Sequence, residues 1–338
     1  MSPVETRTLL ADHTTLRLGG PAGRFVIAKT TDDLLEATRA AGEPVLLLGG
    51  GSNLVVGDAG FAGTVIKIAT EGWRFDGAEV EVAAGQNWDE FVAAMAGEGF
   101  SGLECLSGIP GSVGATPIQN VGAYGCEVAD LLVSIECFDR RTGEIVTMTA
   151  ADLGFSYRTS VLKGSDARIV LSVRFALRDD GLSAPIRYPE LARLLEVEPD
   201  QQAPAERVRE AVLELRRGKG MVLDADDHDT WSAGSFFTNP IVRPGMLDRL
   251  PDDLPRYSAR GGVKLSAAWL IEHAGFAKGH PGPGGRVSLS TKHTLALTNR
   301  GPATTGDLLA LAREVRDGVR ARFGVTLVPE PLLINCDF

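Results

Sequence analysis

At 338 residues, 44% of them hydrophobic, the chain is long enough for two or three globular domains around a sizeable core. A net charge of −10 argues against a surface that coats nucleic acid, although basic residues gathered in a cleft can still take an anionic small molecule. No apolar run nears the roughly 20 residues that cross a bilayer, and the N-terminus Met-Ser-Pro-Val-Glu-Thr-Arg lacks the apolar stretch of a secretory signal; a cytoplasmic protein with no membrane insertion is expected.

In chain order, Leu16–Val26 reads as a strand, a turn at Gly19-Gly20-Pro21 and a second strand. Thr31–Ala41 is a short helix capped by Thr31, acidic in its first turn and stopped by Gly42. The buried strand Pro44–Leu48 runs into Gly49-Gly50-Gly51-Ser52-Asn53, and the next residues, Leu54-Val55-Val56, read as strand more than helix. Neither G-x-G-x-x-G entering a helix nor G-x-x-x-x-G-K-[ST] occurs, so Rossmann and P-loop readings are unsupported. Short strands at Val65–Ile68 and Val80–Val82 precede a helix from Trp88 to Ala96, with Asn87 and Glu90 at capping-box spacing.

The stretch Ser107–Gly125 carries glycines at 108, 111, 114, 122 and 125 and prolines at 110 and 117, which forbid a long helix. Consecutive N–H groups turned to one side of such a loop form an anion-holding nest, and its Ile109, Val113, Ile118 and Val121 are not what a solvated linker carries. Beyond it, Leu131–Phe138 and Glu144–Thr149 form a hairpin, Ala150–Ser160 a short helix and loop, and Arg168–Leu177 a strand. A composition shift over residues 180–220 marks the domain boundary. Short and amphipathic helices come next at Tyr188–Leu195 and Ala205–Arg217, then an aspartate-rich stretch before Ser235. Lys264–Ala274 reads as a helix, Lys292–Thr298 as a strand, Thr305–Phe323 as a long helix capped by Gly324, and Val325–Val328 as a last strand leading into Pro329-Glu330-Pro331.

Cys105, Cys126, Cys137 and Cys336 form no C-x-x-C pair and the five histidines no metal-binding spacing, so reduced thiols and no metal site are expected. Three polar residues stand in small or rigid surroundings: Arg158 after an aromatic, Ser235 between Gly234 and two phenylalanines, Glu330 between two prolines. Taken singly, a surface arginine, a turn serine and a carboxylate ending a strand are the plainer readings, and no G-x-S-x-G elbow supports a hydrolase.

Six stretches in order along the chain change that weighing. They are Leu-Gly-Gly-Gly-Ser-Asn-Leu at 48–54, the whole run 107–125, Tyr-Arg-Thr-Ser at 157–160, Ala-Gly-Ser-Phe-Phe-Thr-Asn-Pro at 233–240, Ala-Ala-Trp-Leu-Ile-Glu-His-Ala-Gly at 267–275 and Pro-Glu-Pro at 329–331. Together they resemble the UDP-N-acetylenolpyruvoylglucosamine reductases, the MurB family of peptidoglycan-synthesis flavoenzymes, in its type I branch. The resemblance implies an α+β chain: a bilobal FAD-binding domain of the vanillyl-alcohol-oxidase (PCMH) type over 1–185, with lobes of about 1–70 and 71–185, then a C-terminal α/β substrate-binding domain over 186–338 whose last segment, around 325–338, returns to the flavin site.

It also implies non-covalent FAD, NADPH as reductant, a UDP-sugar substrate and a monomer. Position by position, Ser235 matches the proton donor, and Arg158 and Glu330 the pair that polarises the substrate carboxylate. Cofactor contacts map to Gly49, Gly50, Gly51, Ser52, Asn53 and Leu54, and to Ser107, Gly108, Ile109, Pro110, Gly111, Gly114, Ala115, Gln119, Asn120, Gly122, Ala123 and Tyr124. Substrate contacts map to Tyr157, Tyr188, Lys219, Asn239, Lys264 and His293, with Lys219 resembling a basic residue that serves nucleotide or substrate phosphates. Pro189-Glu190 replaces a usual Gly-Asp, and His293 stands where many relatives carry glutamine. A rival flavin oxidase would need neither that serine nor that carboxylate, and a non-catalytic nucleotide-binding protein would have no use for all three residues.

Overall fold

The computed structural model describes Val4–Glu5 and residues 8–338. The chain divides into two compact units, one holding Val4–Glu5, Ala22–Gly50 and Ala62–Val222, the other Thr8–Pro21, Gly51–Phe61 and Leu223–Phe338. No helix among the described residues is long and apolar enough to cross a membrane.

Among its described residues the first unit carries two larger sheets and a short pairing of Gly122–Ala123 with Cys126–Glu127. A four-stranded sheet is ordered Val4–Glu5, Ala22–Ala28, Phe61–Ile68, Val45–Leu48. Its last two strands are parallel, Leu48 lying opposite Lys67, so the chain leaves the sheet edge directly into Gly49. Helix α1 (Thr31–Ala40) covers this sheet with Leu34, Leu35 and Ala37, which pack on Val26, Ala28 and Ile66. Its cap is Thr30 rather than Thr31, in a reciprocal box with Asp33. The second sheet is antiparallel, ordered Glu144–Thr149, Leu132–Asp139, Arg168–Ala176, Glu79–Ala83, Trp73–Asp76. Helix α2 (Trp88–Gly97) buries Trp88 and Phe91 against Phe175 of that sheet, with ring centroids 6.0 and 5.9 Å away. Asn87 caps it by accepting from the Glu90 N–H, without the return bond of a full box. Helices α3 (Pro189–Leu195) and α4 (Ala205–Gly218) pack through Leu191, Leu195, Val208 and Val212 against Cys105.

In the second unit, helix α5 (Ala267–His273) and the long helix α6 (Thr305–Phe323) share a core. In it Leu308, Leu311, Val315 and Val319 meet Phe236, Phe237, Leu270, Ile271, Val287 and Leu297. Thr304 and Asp307 form the capping box of α6, Asp58 accepts from Thr305 N at 2.7 Å and Gly306 N at 3.0 Å, and Gly324 ends the helix at φ 69°. A three-stranded sheet orders Ile241–Val242, Gly262–Leu265, Arg256–Ala259, and Val287–Leu289 pairs with Leu297–Asn299.

Several expected elements are otherwise. Leu16 and Arg17 are not in a strand, because Arg17 turns the chain at φ 51°. Ala150–Ser160 is a run of turns, not a helix. Lys264 belongs to a strand, and the helix starts only at Ala267, where Ser266 caps it. Residues 292–296 form a turn before the strand Leu297–Asn299. Val325–Val328 is extended and buries Val325 and Leu327, but joins no ladder; the closing strand is Leu332–Ile334, parallel to Leu54–Val56.

Candidate active site

In the first unit the two glycine-rich stretches meet backbone to backbone. A Cβ on Gly50 would fall 2.5 Å from Gly111 Cα, so only glycine permits that approach, while one on Gly49 would fall 2.6 Å from Ser112 Oγ and force that hydroxyl to turn away. Lys67, on the neighbouring strand opposite Leu48, donates to the Gly49 carbonyl, and burial pushes its ammonium below the ordinary lysine range. The 107–125 run is tied to the rest of its unit by Gly108 N to Asp89 Oδ1 (2.6 Å), Val113 N to Gln86 O (2.9 Å) and Gly114 N to Ala84 O (2.8 Å). Gly114 is itself pressed on Ala84, where a Cβ would come to 2.5 Å. Among the described residues the N–H groups of Ile109, Gly111 and Ser112 donate to no protein acceptor. Such unsatisfied, adjacent donors are what an anionic cofactor requires.

One charged neighbour, Arg216, sharpens that preference, and another, Asp89, anchors the loop. Arg216 near the end of α4 gives one Nη to the Met221 carbonyl at 2.8 Å, while its Nε is sealed from solvent with no partner among the described residues, about 3.3 Å from where a Gly108 Cβ would stand. Asp89 receives both Arg209 and the Gly108 N–H. Burial works to raise its carboxyl, but these two donors outweigh it and hold the group below the usual aspartate range. Sequence reasoning does not single out Arg216, Asp89 or Lys67. Only Arg216 leaves a trace, standing three residues before Lys219 and so on its helical face.

Ser107 and Asn120 are buried, with hydroxyl and amide bonded within the protein: Ser107 Oγ to Glu104 O at 2.6 Å, Asn120 Nδ2 to Glu127 Oε2 at 2.7 Å. Arg158 sits in a two-residue turn closed by reciprocal Ser156–Thr159 bonds of 3.1 Å, with φ 53°. A non-glycine residue held there costs about 1–3 kcal/mol and marks a position imposed by its surroundings. Its guanidinium donates to Gly122 O at 2.6 Å and lies over Tyr157, 5.4 Å from the ring centre. Tyr124 meets Tyr188 edge to face at 5.2 Å, and burial pushes its phenol up to about 12. Lys219 Nζ lies 5.6 Å over the Tyr124 ring and 2.5 Å from Glu190 Oε2.

In the second unit Gly51–Leu54 turns into the Leu54–Val56 strand, and a Gly51 Cβ would meet the His13 carbonyl at 1.9 Å. Ser235 lies on a segment held from both sides: Phe236 N donates to Leu295 O at 2.7 Å, and Phe236 O accepts from Glu330 N at 2.8 Å. Ser235 and Glu330, 95 residues apart in sequence, therefore stand on neighbouring extended segments. The 292–296 turn brings His293 Nε2 to 3.5 Å from Ser235 Oγ, at the outer limit of a hydrogen bond. That turn is anchored by Ser290 Oγ, which accepts from His293 N at 3.2 Å, and by Asp229, which accepts from Thr291 N at 3.0 Å and pairs with Arg300 at 2.9 Å. Asn239 Oδ1 accepts from Ala267 N at 2.9 Å at the start of α5, and Lys264 lies 5.9 Å over the Tyr257 ring. Arg158 thus belongs to the first unit, and Ser235, His293 and Glu330 to the second.

Residues 226–334 match the C-terminal domain of UDP-N-acetylenolpyruvoylglucosamine reductase, and residues 22–149 match an FAD binding domain. Relatives of that reductase name include one from Saccharopolyspora erythraea, 61% identical over 346 residues and covering 97% of this chain and 94% of the relative. One from Nocardia farcinica is 57% identical over 340 residues, covering 96% and 88%. The crystal structure of the reductase from Thermus caldophilus superposes with a TM-score of 0.71 at 30% identity, covering 99% of this chain and all of the other.

Proposed function

This chain belongs to the UDP-N-acetylenolpyruvoylglucosamine reductase family, and from that membership we propose that it takes electrons from NADPH and reduces the enolpyruvyl ether of UDP-N-acetylglucosamine to UDP-N-acetylmuramate, with Ser235 as proton donor. It is an FAD-dependent oxidoreductase of peptidoglycan precursor synthesis. The first unit's residues suit that cofactor: glycines at 50 and 114 that leave no room for a Cβ and, among the described residues, three N–H groups without protein acceptors and the buried, unpartnered Nε of Arg216. When bound, FAD supplies hydride transfer between the nicotinamide and the enolpyruvyl carbon.

The chain's own groups handle charge and proton. Hydride addition to the terminal carbon leaves negative charge delocalised into the substrate carboxylate, and a fixed guanidinium at that carboxylate stabilises it where it forms. Arg158 is suited to this because its turn and its bond to Gly122 fix it before substrate arrives. Glu330 assists in its protonated form, whose carboxyl O–H would donate to the same carboxylate. Ser235 then gives its proton to the adjacent carbon, a step for which positioned transfer contributes about 10²- to 10⁴-fold. The observation that carries the assignment is the double clamp on Phe236, which fixes Ser235 beside the Glu330 segment and the His293 turn.

Purified protein should be yellow, bleach anaerobically with NADPH and regain colour when the enolpyruvyl sugar nucleotide is added; mild acid should release the chromophore. Reduced protein that oxygen reoxidises but the enolpyruvyl substrate does not would favour the oxidase reading instead.

A further inference from the structure

Lys219 closes the C-terminal end of α4, and its ammonium is held by Glu190 of α3 at 2.5 Å. The two side chains remain 29% and 41% exposed, so a ligand from solvent can reach the pair. Beside them stand the edge-to-face rings of Tyr124 and Tyr188, with the Lys219 ammonium 5.6 Å over the Tyr124 ring. An ammonium beside aromatic rings is a place for an anion carrying several oxygens, and here the ammonium already has an anion.

We propose that Glu190 is an internal competitor for the diphosphate: its carboxylate occupies Lys219 in the free protein and must yield that ammonium when the substrate's diphosphate binds. The inference rests on the reading that Lys219 serves substrate phosphates. A half-exposed ion pair is weak enough to be exchanged for a more highly charged partner, yet it lowers apparent affinity by its own strength. Glu190 lies two residues after Tyr188, with Pro189 opening α3 between them, so the pair also ties the base of the Tyr188 side chain to α4 until the exchange occurs.

The test is UDP binding to the FAD-loaded enzyme by calorimetry, at two salt concentrations, for the wild type, Glu190→Gln, Lys219→Gln and the double variant. Removing the competitor should tighten UDP binding about 2- to 5-fold. Lys219→Gln should weaken it, and Glu190→Gln should add nothing on a Lys219→Gln background. A gain in affinity cannot arise from damaged packing, and Glu190→Ala should reproduce it. If Glu190→Gln binds UDP no more tightly while Lys219→Gln weakens binding, Glu190 is not a competitor and the inference falls alone. If Lys219→Gln leaves UDP binding unchanged, the phosphate role of Lys219 falls and takes the inference with it.

Discussion

In the first unit, the residues assigned to the cofactor offer backbone. Gly49 and Gly50 press on Ser112 and Gly111, and among the described residues the neighbouring N–H groups of Ile109, Gly111 and Ser112 donate to no protein acceptor. In the second, the residues assigned to the reaction offer side chains, Ser235 and Glu330, carried on extended segments that the Phe236 N–H and carbonyl lace together. A site made of backbone fails when atoms are added to it, whereas a site made of side chains fails when a functional group is removed and its scaffold is left intact. The two regions should therefore break under opposite kinds of substitution.

The largest effect on the backbone site should come from Gly50→Val. Its Cβ would lie 2.5 Å from Gly111 Cα and 2.9 Å from Gly111 C, with backbone on both sides unable to yield. Overpacking of this kind costs about 1–3 kcal/mol or more, and the protein should purify with little flavin. Flavin absorbance per mole of protein, with a thermal melt, checks both, and a variant with full flavin content would break the comparison.

Next is Asp89→Asn, which keeps the shape but weakens the hold on Gly108 N and Arg209. Bonds to a charged group of this type contribute about 1.5–3 kcal/mol, and partial exposure of Asp89 places the loss toward the lower end. Because the folded carboxyl titrates below its unfolded value, its contribution is present in full above the unfolded value near pH 4 and is lost as pH falls through the folded one. Denaturant titrations across pH 2–7 should show the wild-type advantage over Asp89→Asn constant at the upper end and shrinking at the lower.

Smallest is Tyr188→Phe. The ring that meets Tyr124 stays and only the hydroxyl goes, so KM for the sugar nucleotide should rise by the equivalent of roughly 0.5–1.5 kcal/mol while flavin reduction by NADPH is nearly unchanged. Slowed flavin reduction would take Tyr188 out of a substrate-binding role.

Local chemistry is legible in the sequence and long-range pairing is not. Helix α6 is readable at both ends, because the Thr304–Asp307 box and the left-handed Gly324 are consequences of neighbouring residues. The hairpin of Leu132–Asp139 with Glu144–Thr149 is readable for the same reason, its turn lying between strands that pair in register from Asp139–Glu144 outward. The strand Leu332–Ile334 is not, since its partner Leu54–Val56 lies far back in the chain and nothing local distinguishes it from the equally apolar Val325–Val328.

The site divides in the same way. Arg158, Ser235 and Glu330 are proposed from the family's motifs, but the turn that fixes Arg158 at φ 53° is hidden, because a positive φ on arginine has no sequence signature. The approach of His293 to Ser235 depends on the 292–296 turn and on Asp229, 62 residues from Thr291, so no motif near the serine could announce it. Glu190 stands out in the sequence only as a departure from the family pattern, and acquires a role because the fold places it on Lys219.

The central claim, that the backbone site holds the cofactor while Ser235 supplies the proton, is tested most directly by stopped-flow absorbance of the flavin in Ser235→Ala. Reduction by NADPH requires no proton from this serine and should stay within a few-fold of wild type, with flavin content unchanged. Reoxidation by the enolpyruvyl substrate should slow by about 10²- to 10⁴-fold. Reoxidation at the wild-type rate, or equal slowing of both half-reactions with a lowered melting temperature, would contradict the account.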